Sequence, residues 1–180
     1  MFVQTEKTPN PNSLKFLPGK KVSNNGSFEI LSKEETNNEL IRNILSVNGV
    51  TSIFLGDDFL SVNKREEINW EDLKHIIISF INDYYADGKD NIIENIDNKE
   101  FNDDLKNVEK QIIKILETKV RPAVARDGGD IKFQEFKNGT VKVKLQGSCS
   151  GCPSSTLTLK QGVENLLCHY IPEVKKVLAI

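Results

Sequence analysis

The sequence has no apolar run near the roughly 20 residues that span a bilayer; its longest, Ile76-Ile77-Ile78 and Phe80-Ile81, fall far short. No stretch of this sequence is expected to cross a membrane as a helix. Charge of one sign is also scarce. The net charge is −2 and no dense Lys/Arg block occurs, which argues against nucleic acid or anionic membrane as the main partner, since both reward a concentrated basic face. Met1-Phe2-Val3-Gln4-Thr5 lacks a charged n-region with an apolar core and lacks an Arg/Ser-rich amphipathic presequence. The expected compartment is the cytoplasm, with the mitochondrial matrix as the alternative for a processed imported form. Cysteine is rare, at three residues, which does not suit a disulfide-stapled secreted domain. Two of the three form a CxxC, a spacing that in a reducing compartment more often means metal or redox chemistry.

What is present reads as an α+β chain of two small α/β domains joined by an acidic linker. The boundaries fall at 1–87, 88–104 and 105–180. The stretch Asp87 to Asp104 is rich in Asn and Asp and weakly patterned, as solvated linkers are. In the first domain, Phe2-Val3, Leu14 to Leu17 and Phe28 to Ile30 are short strand candidates. Val50 to Leu55 and Phe59 to Val62 flank a turn at Gly56-Asp57-Asp58. A capping box at Ser32 to Glu35 predicts a helix running through Leu40, Ile41, Ile44 and Leu45 to Gly49. A second helix starts at Asn69 and places Leu73, Ile76, Ile77, Phe80, Ile81 and Tyr84 on one face, with His75 on the solvated one.

In the second domain, Leu105, Val108, Ile112, Ile115, Leu116 and Val120 mark an amphipathic helix that Pro122 is expected to bend or end. Gly128-Gly129 supplies a turn. Strands around Ile131 to Phe136 and at Val141 to Leu145 are joined by Asn138-Gly139, a hairpin pair. The alternation of Val141, Val143 and Leu145 with Lys142 and Lys144 gives one buried and one wet face. A helix from about Ser154 to Tyr170 and a strand from Glu173 to Ile180 follow, so the C-terminal domain is a small sheet packed on two helices.

Between that second strand and the last helix lies Gly147-Ser148-Cys149-Ser150-Gly151-Cys152-Pro153. Thiolates are the soft ligands that iron–sulfur clusters and Zn²⁺ select. Two intervening residues let one loop bring both sulfurs to one centre, and Gly147 and Gly151 relax its backbone. Pro153 suits a first helical position, so Cys149 and Cys152 stand at a helix N-terminus, whose dipole favours an anionic thiolate.

A cluster or structural zinc site typically takes four protein ligands, and this motif offers two. Cys168 follows Cys152 by sixteen residues, roughly 24 Å along a helix rising about 1.5 Å per residue. It therefore cannot share their metal, and it reads as a small, partly packed side chain lying off the stripe of Leu159, Val163, Leu166, Leu167 and Tyr170. His169 is equally remote. The missing ligands must come from a second molecule, and a two-fold pair of chains would present four thiolates to one centre. Three readings remain open on residues alone: a shared cluster, a zinc-bridged structural dimer, and a thiol–disulfide oxidoreductase.

Arg121-Pro122-Ala123-Val124-Ala125-Arg126-Asp127-Gly128-Gly129-Asp130-Ile131, followed by Gly147 to Lys160, resembles the NifU C-terminal domain. Thr8-Pro9-Asn10-Pro11-Asn12-Ser13-Leu14-Lys15-Phe16 resembles the signature of the Nfu N-terminal domain. Together they resemble two-domain Nfu-type scaffold proteins over nearly the whole chain. The resemblance implies an iron–sulfur carrier and no enzyme. A [4Fe–4S] cluster, or its smaller alternative [2Fe–2S], would be bridged by Cys149 and Cys152 of two subunits, in a homodimer when cluster-bound. The implied partners are apo iron–sulfur client proteins and upstream cluster-assembly proteins. Arg121-Pro122 and Asp127 to Asp130 are expected to form a kink and a tight turn, the alternatives being direct contact with the cluster and charged residues that orient the cluster loop or a partner.

Overall fold

Alternating side chains in the first half build a five-stranded sheet with both faces covered. The computed structural model describes residues 2–89, 91–92, 107–151 and 153–180. The strands are β1 (Gln4–Lys7), β2 (Ser13–Leu17), β3 (Phe28–Ile30), β4 (Val50–Leu55) and β5 (Leu60–Lys64), in the order β1-β2-β5-β4-β3. Every neighbouring pair is antiparallel. The Gly56–Asp58 turn closes with Gly56 N–H donating to Phe59 O at 2.9 Å. The first strand starts two residues later than Phe2-Val3 suggests, because its register begins with Gln4 opposite Leu17, the last residue of β2, which leaves Phe2 and Val3 beyond the end of that strand.

Register sorts the two faces. Leu14 and Phe16 oppose Val62 and Leu60, which oppose Ile53 and Leu55. This apolar face packs on α1 (Glu39–Leu45) and α2 (Trp70–Ala86). The other face places Ser13 opposite Asn63 and Asn63 opposite Ser52, with Lys15 opposite Ser61 and Ser61 opposite Phe54. It is polar, and it is also buried.

The helix expected from Ser32 is two pieces. Ser32 Oγ accepts from Glu34 N–H, but only a 3-10 turn, Lys33–Glu35, follows. The chain is extended at Thr36, and Asn38 then caps α1 by accepting from Ile41 N–H at 3.2 Å. Asn38 also donates to Ile92 O at 2.7 Å, and Tyr84 Oη donates to Asn91 O at 2.8 Å, which ties the start of the acidic stretch to this half. Residues 93–104 of that stretch, and Leu105, lie outside the described residues. On α2, Leu73, Ile77, Ile81 and Tyr84 are buried as expected, but Ile76 is 43% exposed and Tyr85 takes the inward position. His75 is exposed.

The second half holds a three-stranded sheet, β6 (Gly129–Lys137), β7 (Thr140–Gly147) and β8 (Lys176–Ala179). The β6–β7 hairpin turns at Asn138 and Gly139, at φ 51° and 79°, the two left-handed residues of a type I′ turn. Val141, Val143 and Leu145 face a core made with Ile112, Leu116, Val163 and Leu167. Pro122 does not end the helix before it. α3 (Asn107–Ile115) widens into a π-helical turn, Leu116–Val120, where Arg121 N–H donates to Leu116 O. α4 (Arg121–Arg126) then restarts with the proline in its first turn, where no N–H is needed. α5 (Pro153–Tyr170) crosses from β7 to β8, which pair in parallel and so form a βαβ unit. Tyr170 is 49% exposed and so lies off the buried stripe. Two sheets with helices on them give the expected α+β class. No described helix is long and apolar enough to cross a membrane.

Candidate functional site

The β6–β7 ladder ends with Gly129 opposite Gly147, and the cysteine loop leaves from there. Gly147 and Gly151 both have positive φ, +67° and +77°, the left-handed backbone that glycine adopts without strain. Between them, Ser148 N–H donates to Gly128 O at 3.1 Å and Ser150 N–H to Gly147 O at 3.1 Å. Ser148 Oγ donates to Asp127 O and lies 3.9 Å from Cys149 Sγ. Thr156, in the first turn of α5, donates through Oγ1 to Cys149 O at 3.4 Å. Cys149 therefore sits just before the N-terminus of an 18-residue helix, as its spacing suggests. Cys152 lies outside the described residues.

The Cys149 side chain is 5% exposed and belongs to the second core. A methyl group on Gly129 would come within 2.7 Å of Cys149 Sγ and of Gln146 O. The Gly128-Gly129 pair thus does more than turn the chain, since it leaves room for the sulfur. A hollow of about 410 Å³ beside Cys149 is lined by Pro9, Val124, Asp127, Ser148, Thr158 and Leu159. A larger cleft of about 550 Å³ opens over Arg121 and Asp130, but no thiol of the described residues lines it. Cys168 is half-buried against the core and His169 stacks edge-on with Tyr170 at 5.0 Å. No group of three or more His, Cys, Asp and Glu residues arranged to hold a metal occurs among the described residues.

Arg121 and Asp130 answer each other. Arg121 Nε and Nη2 donate to Asp130 Oδ1 and Oδ2 at 2.8 and 2.9 Å, a two-pronged pair, and Ser27 Oγ donates to Asp130 Oδ2. The hydrogen bond to Asp130 pushes the Arg121 guanidinium above its ordinary range, against the opposing effect of burial. The pair fixes the start of α4 to the start of β6, which positions Gly128-Gly129 under the loop. Arg121→Leu would leave the Asp130 carboxylate, which is 4% exposed, without its counter-charge and held only by Ser27 Oγ and the Ile131 N–H. A fall in stability of about 2 kcal/mol is expected, less than for a fully buried pair because Arg121 keeps some solvent. The shift of the urea midpoint reads it.

Side chains from the first half also reach this loop. Asn10 Nδ2 donates to Ser148 O at 3.1 Å and Ser150 O at 3.5 Å. Asn63 Nδ2 donates to Gly147 O at 3.2 Å, and Glu29 Oε1 accepts from Gly147 N–H at 3.1 Å. Burial pushes the Glu29 carboxyl up from its usual range, partly countered by that N–H and by Lys144 and Lys132. Asn10 falls inside the Thr8 to Phe16 signature, which was its only mark in the sequence. Nothing in the pattern around Asn63 or Glu29 sets them apart.

Two family models match the chain: "NifU-like domain" over residues 112–178 and "Scaffold protein Nfu/NifU N terminal" over residues 3–88. The chain is 42% identical over 185 residues to NifU-like protein 4, mitochondrial, of Arabidopsis thaliana, covering 98% of this chain and 65% of that protein. It is 42% identical over 180 residues to NFU1 iron-sulfur cluster scaffold homolog, mitochondrial, of Homo sapiens, covering 98% and 71%. The chain thus spans about two thirds of the length of these relatives, and just under that for the Arabidopsis protein. Among solved structures, a NifU-like protein from Saccharomyces cerevisiae is 30% identical, covering 53% of this chain and 87% of that one, with a TM-score of 0.48.

Proposed function

This chain belongs to the NifU-like scaffold proteins of Nfu type, and from that premise we propose that it carries an iron–sulfur cluster between two copies of itself and hands it to apo-proteins. Cys149 and Cys152 of each copy supply the thiolates. The cargo is a [4Fe–4S] cluster, with [2Fe–2S] as the smaller alternative. The observation that carries the reading is Cys149 itself, held on a loop with left-handed glycines at the N-terminus of α5. There the helix dipole and unpaired N–H groups favour a thiolate and any anion bound to it.

Thiols too few to complete a site within one chain make binding depend on a second chain, and a shared site is easily dismantled. That suits a donor better than a permanent redox centre, and it requires no turnover of a small molecule. We read residues 1–87 and 105–180 as separate domains joined by 88–104, with clients and upstream assembly proteins as the partners. The relatives are named as mitochondrial, which supports the matrix form over a cytoplasmic one.

Anaerobic reconstitution with iron and sulfide is expected to give a brown protein with about one cluster per two chains. Metal and sulfide analysis with sizing by light scattering checks it. A colourless monomer, or stoichiometric zinc that iron does not displace, overturns it.

A further inference from the structure

Sheet faces that stay buried are usually apolar, because a polar group taken from water must find a partner inside. The second face of the five-stranded sheet breaks this pattern. Ser13, Lys15, Ser52, Ser61 and Asn63 are each 9% exposed or less. Ser13 Oγ, Ser61 Oγ and Asn63 Oδ1 find no hydrogen-bond partner among the described residues. What covers this face is the turn and loop around Cys149. A methyl group on Gly128 would come within 2.6 Å of Ser61 Oγ, and one on Gly147 within 2.9 Å of Phe54 Cγ. Asn10 holds the carbonyls of Ser148 and Ser150, the two residues that flank the cysteine. Asn63 and Glu29 take the two backbone groups of Gly147. Further along, Lys132 Nζ donates to Ser27 O at 2.8 Å and Lys15 Nζ to Arg126 O at 3.4 Å.

We propose that this polar face is a reversible seat for the cysteine loop, and that the seated form withholds Cys149 from a second chain. The inference rests on the reading that two chains share a cluster through Cys149 and Cys152. Apart from the buried Phe54 ring, this interface consists of hydroxyls, amides and ammonium groups, and it parts easily because water satisfies every polar group it releases, including those unmet in the closed form. A shared cluster needs the Cys149 thiolates of two chains turned to one centre, whereas here the side chain lies against Gly129 and is 5% exposed. The seat is part of the same chain, so it competes at the high effective concentration of an intramolecular partner. A second chain prevails when metal–sulfur bonds add to its side of the balance. Cluster loading and opening are thus one linked equilibrium. The N-terminal domain acts as a gate on a ligand it does not itself supply.

The test uses the full metal-free chain with Cys152→Ser and Cys168→Ser, so that Cys149 is the sole thiol, and follows N-ethylmaleimide labelling by mass spectrometry. Asn10→Asp turns the donor that grips two carbonyls into a carboxylate facing them. Lys132→Glu breaks the contact from the other domain, where it spares the loop. Each is expected to raise the Cys149 labelling rate about tenfold, with circular dichroism unchanged. In chains that keep all three cysteines, each is expected to speed cluster uptake by a similar factor. Labelling at the parental rate in the folded variants overturns the seat, and if Asn10→Asp does not fold then Lys132→Glu alone decides. Faster labelling in a protein that takes up no iron and sulfide upholds the seat and defeats the cluster reading. A parent that loads a cluster beside variants that label no faster does the reverse.

Discussion

Replacing Cys149 with Ala is expected to abolish cluster uptake, from about one cluster per two chains to none detectable by iron and sulfide analysis. A pair of chains that shares one centre loses two thiolates with a single substitution, so half the ligand set disappears at once. Cys152→Ala should be equally severe for the same reason. The effect on folding is expected to be small by comparison. Cys149 is buried in the second core, where a cysteine behaves as a small hydrophobe, and trimming it to Ala costs about 1 kcal/mol. Unchanged circular dichroism together with zero cluster would therefore place the loss on the ligand. Retained stoichiometric cluster in Cys149→Ala would refute the assignment of this residue.

Gly147→Ala is expected to be the most destabilising exchange in the loop, at about 3 kcal/mol from left-handed strain plus overpacking. At φ +67° any Cβ is strained, and this one would also meet Gly128 O at 2.6 Å, Phe54 Cγ at 2.9 Å and Gly129 Cα at 3.0 Å. None of these neighbours is the free end of a long side chain. Two belong to the turn under the loop, and the third is a fully buried ring of the other sheet. The midpoint of urea unfolding measures the loss. Gly151→Ala is the control: its φ of +77° imposes the same strain, but no atom of the described residues lies within 4 Å of the added methyl.

Much of the second domain was legible because its signals are local. Val141, Val143 and Leu145 alternate, Asn138-Gly139 demands left-handed backbone, and Gly147 to Pro153 marks the passage from strand to helix. The misses have physical causes. Periodicity continues smoothly through Leu116 and Val120, so it could not show that the helix absorbs Pro122 with a π turn. The capping box at Ser32 is satisfied by a single 3-10 turn, after which the competing cap at Asn38 wins. Tyr170 and Ile76 fit the apolar stripes by spacing, yet they lie at the edges of the cores, 49% and 43% exposed.

The site was legible only in part. Cys149 announces itself by chemistry and by its flanking glycines. The partners Asn10, Glu29 and Asn63 do not, because alternation separates two faces of a strand without saying what lies on the second. A face of Ser, Lys and Asn ordinarily reads as wet. Arg121 and Asp130 were singled out for a kink and a turn, and the structure adds that they neutralise each other across that turn.

The parallel pairing of β8 with β7 has a consequence for how the molecule is made. The loop with Cys149 is synthesised before α5, and α5 before Lys176–Ala179, yet β8 pairs with Thr140–Val143 at the beginning of the strand that delivers the loop. The βαβ frame around the cysteine loop is therefore closed by a pairing between strands on either side of α5, and a contact of such sequence separation forms late in folding, while the sulfurs are still uncovered. Whatever guards those sulfurs from oxidation in that interval must come from outside the finished C-terminal domain. The N-terminal sheet, complete far earlier on the same chain, is already there to receive them.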